Sequence, residues 1–192
     1  YSDSVDFMAD QEYMSGTSET TFSPDSNTTR AMMAAILWRM AGEEAPEGSS
    51  DFTDLAADWY RDAVAWATEN GITTGTSETT FSPNSHITRE QFVTMLYRYA
   101  EKNGLDLSSY ITPQEETDLD LDNAVVQEDY TTQGGDLSQF LDGEQVSDYA
   151  KRAMEWAVSE GILTGTPEGT LDPQDTATRA EMATMLARYN NT

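Results

Sequence analysis

Gly16-Thr17-Ser18-Glu19-Thr20-Thr21-Phe22-Ser23-Pro24 returns unchanged as residues 75–83. It returns again, altered, as Gly165-Thr166-Pro167-Glu168-Gly169-Thr170-Leu171-Asp172-Pro173. Each copy runs through a short loop of equal length into Thr-Arg, at Thr29-Arg30, Thr88-Arg89 and Thr178-Arg179. An ordered recurrence of this kind makes the chain three copies of one unit, and the unit has to be read before any single residue.

The middle copy is the most complete. Phe52-Thr53-Asp54 opens it, then Trp59-Tyr60. Ala63, Trp66 and Ala67 follow at helical spacing and predict a first helix over about 59–70, stopped by Gly71 in the left-handed C′ position. A loop carrying Gly75, Phe81 and Pro83 leads to a second helix over about 89–100, whose apolar stripe is Phe92, Met95 or Leu96, and Tyr99. The third copy matches through Phe140-Leu141-Asp142, Ala153, Trp156, Gly161, Gly165 and Arg179, with Met182, Met185, Leu186 and Tyr189 on its second helix. In the first copy Tyr1 aligns on Tyr60, Phe7 stands for the tryptophan, and Glu12 replaces the helix-stopping glycine. The chain starts inside a unit, which reads as a mature or trimmed piece of something longer.

These boundaries give repeat 1 at 1–45, repeat 2 at 51–100, an acidic insert or linker at 101–136, and repeat 3 at 137–192. The expected fold is all-α: three helix–loop–helix repeats, six helices in three pairs, packed about a pseudo-threefold axis because one pair cannot bury both apolar stripes.

Composition excludes several functions. Thirty-five acids against 10 bases give a formal charge of −25, the opposite of a nucleic-acid footprint or an anionic-membrane ligand. No apolar run reaches membrane-spanning length, so membrane insertion is not expected. With no cysteine and one histidine, disulfide scaffolds, thiolate metal sites and the usual nucleophilic triads have little material. A glycosidase carboxylate pair does not stand out from the acids, and catalysis is not expected; nor is a cofactor. The run Asp118, Asp120, Asp122 resembles the start of a calcium loop, but position six is Asn123 and position twelve is Asp129, so a solvated acidic loop is the simpler reading.

Phe-x-Asp, Trp-Tyr, Ala-Val-x-Trp-Ala, Gly-Ile-x-x-Gly-Thr, Phe-x-Pro and Thr-Arg together resemble the S-layer homology (SLH) module. The resemblance implies a three-pronged spindle that anchors bacterial surface proteins, outside the cell, to secondary cell-wall polysaccharide. That polymer often bears pyruvylated N-acetylmannosamine. Binding determinants are implied in grooves between prongs, including the arginine of an Ile-Thr-Arg-Ala-Glu motif. Here the motif reads Thr28-Thr29-Arg30-Ala31-Met32, Ile87-Thr88-Arg89-Glu90-Gln91 and Ala177-Thr178-Arg179-Ala180-Glu181. The glutamate survives only in repeat 3, which implies a weakened repeat 1.

Physically, Thr-x-x-Glu/Gln is a capping box, available to Thr88 with Gln91 and to Thr178 with Glu181, while Thr29 caps alone. The first-turn arginine sits at the positive end of a helix dipole, where a cation is mildly disfavoured. Its threefold recurrence there points to a carboxylate gripped by Arg30, Arg89 or Arg179 together with free helix-terminal amides. The structural alternative is an ion pair, for instance with the aspartate of a neighbouring Phe-x-Asp. Asp54 and Asp142 fix the loop before the first helix, by capping or an arginine pair, or touch sugar; Trp59 can stack on a sugar ring; Trp66 and Trp156 belong to the core. Gly16, Gly75 and Gly165 permit a tight turn and close ligand approach, and Thr17, Thr76 and Thr166 can donate hydroxyl hydrogen bonds. Arg39, Arg98 and Arg188 near the helix ends are accounted for by the dipole. His86, equivalent to Asn27 and Thr176, reads as solvated. A module for protein partners, including other surface-layer proteins, remains the alternative to glycan binding.

Overall fold

The computed structural model describes residues 2–18, 20–106 and 134–192. The acidic run at Asp118–Asp122, the calcium-loop reading and most of the 101–136 insert lie outside the described residues. Six α-helices are present: α1 (Ser2–Asp10), α2 (Arg30–Met40), α3 (Arg61–Glu69), α4 (Arg89–Lys102), α5 (Lys151–Ser159) and α6 (Arg179–Tyr189). No strand occurs among the described residues, and the architecture is all-α. The first helices of repeats 2 and 3 are entered through 3-10 turns, Asp58–Tyr60 and Asp148–Ala150.

The second helices start where their caps dictate. Thr29, Thr88 and Thr178 each accept the backbone N–H three residues on. Gln91 and Glu181 reach back to complete capping boxes, whereas Met32 has no polar group to do so. The first helices end as glycine requires: Gly71 and Gly161 both have φ +69°, and Glu12 adopts the same left-handed conformation at φ 60° without being glycine.

Helix pairing differs from the expected pairing within each repeat. The closely packed partners are α3 on α2, α5 on α4, and α1 on α6. The first helix of each repeat therefore packs on the second helix of the repeat before it, and repeat 1 closes the cycle on repeat 3. Loop length explains this. About twenty residues separate the two helices of a repeat, enough to carry the second helix away to a neighbour. The aromatic side chains then link pair to pair. Trp156 stands edge-on to Tyr97 of α4 at 5.5 Å and to Tyr189 of α6 at 6.1 Å, and Tyr99 meets Trp66, 6.3 Å away, and Tyr189, 6.1 Å away. Both tryptophans are fully buried core residues.

The three repeats meet in a ring of backbone hydrogen bonds. Thr28 N–H donates to Ala177 O (3.0 Å), Ala177 N–H to Ile87 O (3.1 Å), and Ile87 N–H to Thr28 O (2.9 Å). Just outside the ring, Asn27 lies 3.4 Å from the His86 ring nitrogen and accepts from the Thr176 hydroxyl at 3.0 Å. His86 is exposed but is not isolated; it belongs to this polar cluster. Thr28 itself is completely buried, and its hydroxyl has no hydrogen-bond partner.

Two stability gains are expected. Glu12→Gly removes the left-handed strain of a side-chain-bearing residue and raises stability by about 0.5–1 kcal/mol after the entropy of the added glycine. Thr28→Val removes an unpaired buried hydroxyl at constant shape and gains about 1 kcal/mol. Both are checked as higher urea midpoints at unchanged m-value.

Candidate functional site

Each first-turn arginine crosses into the following repeat. Arg30 Nε donates to Phe81 O, Arg89 Nε to Leu171 O, and Arg179 Nε to Phe22 O, all at 2.8 Å. The arginines are 5, 7 and 6% exposed. Their backbone amides cross too: Arg30 N–H to Ser85 O, Arg89 N–H to Asp175 O, Arg179 N–H to Ser26 O. The next amide in each helix bonds the loop proline carbonyl, Pro83, Pro173 or Pro24. With the third amide held by the capping threonine, the first-turn N–H groups are spent inside the protein. The expectation that free helix-terminal amides assist a carboxylate is therefore overturned. What offsets a cation at the positive end of the dipole is the set of loop carbonyls gathered there.

Those carbonyls are aimed by the residue between Phe/Leu and Pro. Ser23, Ser82 and Asp172 all take left-handed φ, 55°, 57° and 49°. Asp54 and Asp142 hold this turn. Asp54 accepts from Phe81 N–H (3.0 Å) and Ser82 N–H (2.8 Å); Asp142 accepts from Leu171 N–H (2.7 Å) and Asp172 N–H (2.8 Å). Both aspartates therefore fix the loop before the second helix and not, as expected, the one before the first, and neither makes a salt bridge among the described residues. A Cβ on Gly75 or Gly165 would run into Phe52 or Phe140, each 2.5 Å away, and both glycines have positive φ. That close approach is to the repeat's own opening aromatic ring. At Gly16 a Cβ would strike the Ser18 and Thr21 carbonyls.

Beyond the turn the arginines line three grooves of like construction. Groove 1, about 300 Å³, is lined by Met14, Ser15 and Gly16, the α2 face with Arg39, Trp59, and Arg179 from repeat 3. Groove 2, about 370 Å³, is lined by Thr73, Thr74, Gly75 and Thr76, the α4 face with Gln91, Thr94 and Arg98, Tyr149, and Arg30 from repeat 1. Groove 3, about 340 Å³, has Gly165, Thr166, Glu181, Thr184, Arg188, and Arg89 from repeat 2. Every groove is thus composite and holds two arginines. Arg30 serves the groove of repeat 2, whereas Met32, the altered residue of the same motif, lines groove 1, so the two ends of the repeat 1 motif fall in different grooves. Asp54, Asp142 and Thr17 are not among the lining residues. The hydroxyls of Thr17, Thr76 and Thr166 are engaged within their own loops, with Ser23 (2.6 Å), Ser82 (2.6 Å) and Thr170 (2.7 Å).

Two features of the site do not follow from local sequence: helix-end arginines that the dipole alone was expected to explain, and a buried acid. Arg39, Arg98 and Arg188 each point Nη1 at the first-helix exit, to Tyr13 O (3.3 Å), Ile72 O (3.5 Å) and Ile162 O (3.1 Å), which turns them into the grooves. Their threefold recurrence was the available signal. Second, Glu90 replaces the alanine found at 31 and 180. It is 2% exposed and accepts from Ser147 N–H (3.0 Å), Ser147 Oγ (2.8 Å) and Tyr149 Oη (2.9 Å). An acid on a face where its equivalents are alanine was the clue. Burial, then the Glu90 hydrogen bond, hold the Tyr149 phenol far above its ordinary pKa, so it stays a donor. Burial draws Arg30 and Arg179 below the ordinary arginine value, countered at Arg30 by Tyr149 and Asp54. Among the described residues no group of acids and histidine could hold a metal ion.

The chain belongs to the S-layer homology domain family, which matches residues 1–34, 51–93 and 139–183. It is 30% identical over 190 residues to a surface-layer 125 kDa protein of Lysinibacillus sphaericus, covering 97% of this chain and 14% of that protein. It is 31% identical to an endoglucanase of Bacillus sp. (strain KSM-635), covering 94% of this chain and 16% of the relative. A cellulosome-anchoring protein of Acetivibrio thermocellus is 28% identical, with 87% of this chain and 33% of that protein covered. The chain accordingly spans a third or less of the length of these relatives.

Because the first-turn arginines tie repeat to repeat, Arg89→Ala should destabilise by about 2–3 kcal/mol, leaving the Leu171 carbonyl without its charged donor. Arg89→Lys should recover little, since one ammonium cannot reproduce the fork that reaches both Leu171 O and Glu181. Urea denaturation of the two variants checks this.

Proposed function

We propose that the chain is a non-catalytic anchoring module whose inter-repeat grooves bind an acidic secondary cell-wall polysaccharide at the bacterial surface, a pyruvylated sugar being one form of it. The observation that carries this reading is the arginine pair in each groove. In a chain of net charge −25, cations recur in twos at concave sites. Two guanidinium groups suit a carboxylate, which arginine grips through parallel hydrogen bonds. Trp59, 53% exposed, and Tyr149, 55% exposed, stand at the edges of grooves 1 and 2. Each gives an apolar ring face for a sugar, and the Tyr149 oxygen, its proton given to Glu90, is left to accept.

The relatives support attachment over catalysis. A surface-layer protein, an endoglucanase and an anchoring protein are unlike as wholes, yet each resembles this chain across most of its length. A stretch common to such proteins suits a shared task of placement. Three grooves on one chain also allow avidity toward a polymer, so individual contacts can be weak.

The groove arginines near the helix ends are the better probes, because they carry less of the fold than Arg30, Arg89 and Arg179. Arg98→Ala and Arg39→Ala should each weaken binding to purified peptidoglycan–polysaccharide sacculi about tenfold, the loss of one charge-assisted contact, at a little-changed melting temperature. Chemical removal of the secondary polymer should abolish binding altogether. Undiminished binding by both variants would sink the arginine mechanism, and no binding to any sacculus would move the module to protein partners.

A further inference from the structure

The three grooves are alike in construction but unlike in charge. Grooves 1 and 2 are lined by Arg39 with Arg179, and by Arg30 with Arg98, and no carboxylate is among their lining residues. Groove 3 contains one. Glu181 Oε1 lies 3.0 Å from Arg89 Nη1, with the arginine side chain 8% and the glutamate side chain 30% exposed. Its other oxygen accepts from Thr178 N–H and the Thr178 hydroxyl, both at 2.9 Å. Glu181 is therefore clamped by its capping role in the position where an incoming carboxylate would meet Arg89. The equivalent residue is Gln91 in groove 2 and Met32 in groove 1, both uncharged, and neither Arg30 nor Arg179 makes a salt bridge among the described residues.

We infer that Glu181 is a resident counter-anion that sets the order of the grooves: grooves 1 and 2 accept the carboxylate of an acidic saccharide, and groove 3 disfavours it. The intact family motif in repeat 3 then marks the groove that selects against charge and is left to a neutral part of the polymer. The inference rests on the proposed groove-binding function. Its physical basis is that a ligand carboxylate must either displace Glu181 from Arg89 or sit beside it as a like charge, and both weaken binding.

A reciprocal exchange tests it. Gln91 and Glu181 cap their helices in the same way, so Glu181→Gln and Gln91→Glu should each fold normally. The probe is sodium pyruvate, titrated into the full chain with NMR detection of the arginine side-chain N–H signals, which report each groove separately. In the wild type the Arg30 and Arg179 signals should respond at concentrations about tenfold below those that move Arg89. Glu181→Gln should bring Arg89 into line with them, and Gln91→Glu should push Arg30 to higher concentration. Equal response of all three arginines in the wild type, no response from any, or no change on exchange would each overturn the inference. The sacculus assay, run on the same proteins, separates the two ideas. The titration order with no sacculus binding would remove the polysaccharide reading and leave the groove order standing.

Discussion

Everything in this molecule depends on the seating of each second-helix N-terminus on the Phe/Leu-x-Pro turn of the next repeat. Two backbone amides, one guanidinium Nε and one link of the Thr28–Ala177–Ile87 ring converge on each junction. These donors would otherwise be buried without partners, at a cost comparable to a lost hydrogen bond apiece. A junction requires two repeats, and the cycle closes only with three. The third junction joins Arg179 to Phe22 and Ser26 across nearly the whole chain. The unit that folds is therefore the trio, even though the unit that recurs in the sequence is the helix–loop–helix.

The same junction makes the grooves. An arginine side chain has a fold-facing Nε and a fork of terminal nitrogens beyond it. Here Nε is committed to a carbonyl, and the fork is delivered to the neighbour's loop and second helix. Under the proposed function, the structural and ligand-binding roles of these arginines would be two ends of one side chain. Phe81 and Phe22 lie under the Arg30 and Arg179 guanidinium groups, 4.8 and 4.4 Å from their ring centroids, which adds cation–π contact on the apolar side. The cation is held in place before any ligand arrives, and little side-chain entropy is left to lose.

Local signals carried the fold a long way. The six helices, the threonine caps, the glycine stops and the burial of Trp66 and Trp156 follow from periodicity and capping chemistry within a dozen residues of each feature. The partner of each helix could not be read in this manner. Amphipathic stripes say that a face is buried but not against what, and here loop length and ring closure decide. The grooves were half legible for the same reason. Arg30, Arg89 and Arg179 stood out as a set, yet assigning each to its own repeat was off by one step round the cycle. Arg39, Arg98 and Arg188 had an adequate local explanation as helix-end cations, and only the tertiary arrangement puts them opposite the first set. Glu90 and Tyr149 are far apart in sequence and meet because α5 packs on α4.

The acidity of the chain and the basicity of its grooves act over different distances. Charges farther than about 8–10 Å are largely screened at physiological salt, so the many acids outside a groove set a diffuse background. Inside a groove the contacts are near 3 Å and partly shielded from water, and there a single side chain shifts the balance of charge. That is why one glutamate among 35 acids can distinguish groove 3 from its equivalents while the overall charge cannot. It also separates fidelity to the repeat pattern from equivalence of the sites. Repeats constrained to form the same junction must keep Thr, Arg, Pro and the left-handed turn. The groove wall facing the junction is free to vary, and Met32, Gln91 and Glu181 vary there without disturbing the helices they begin.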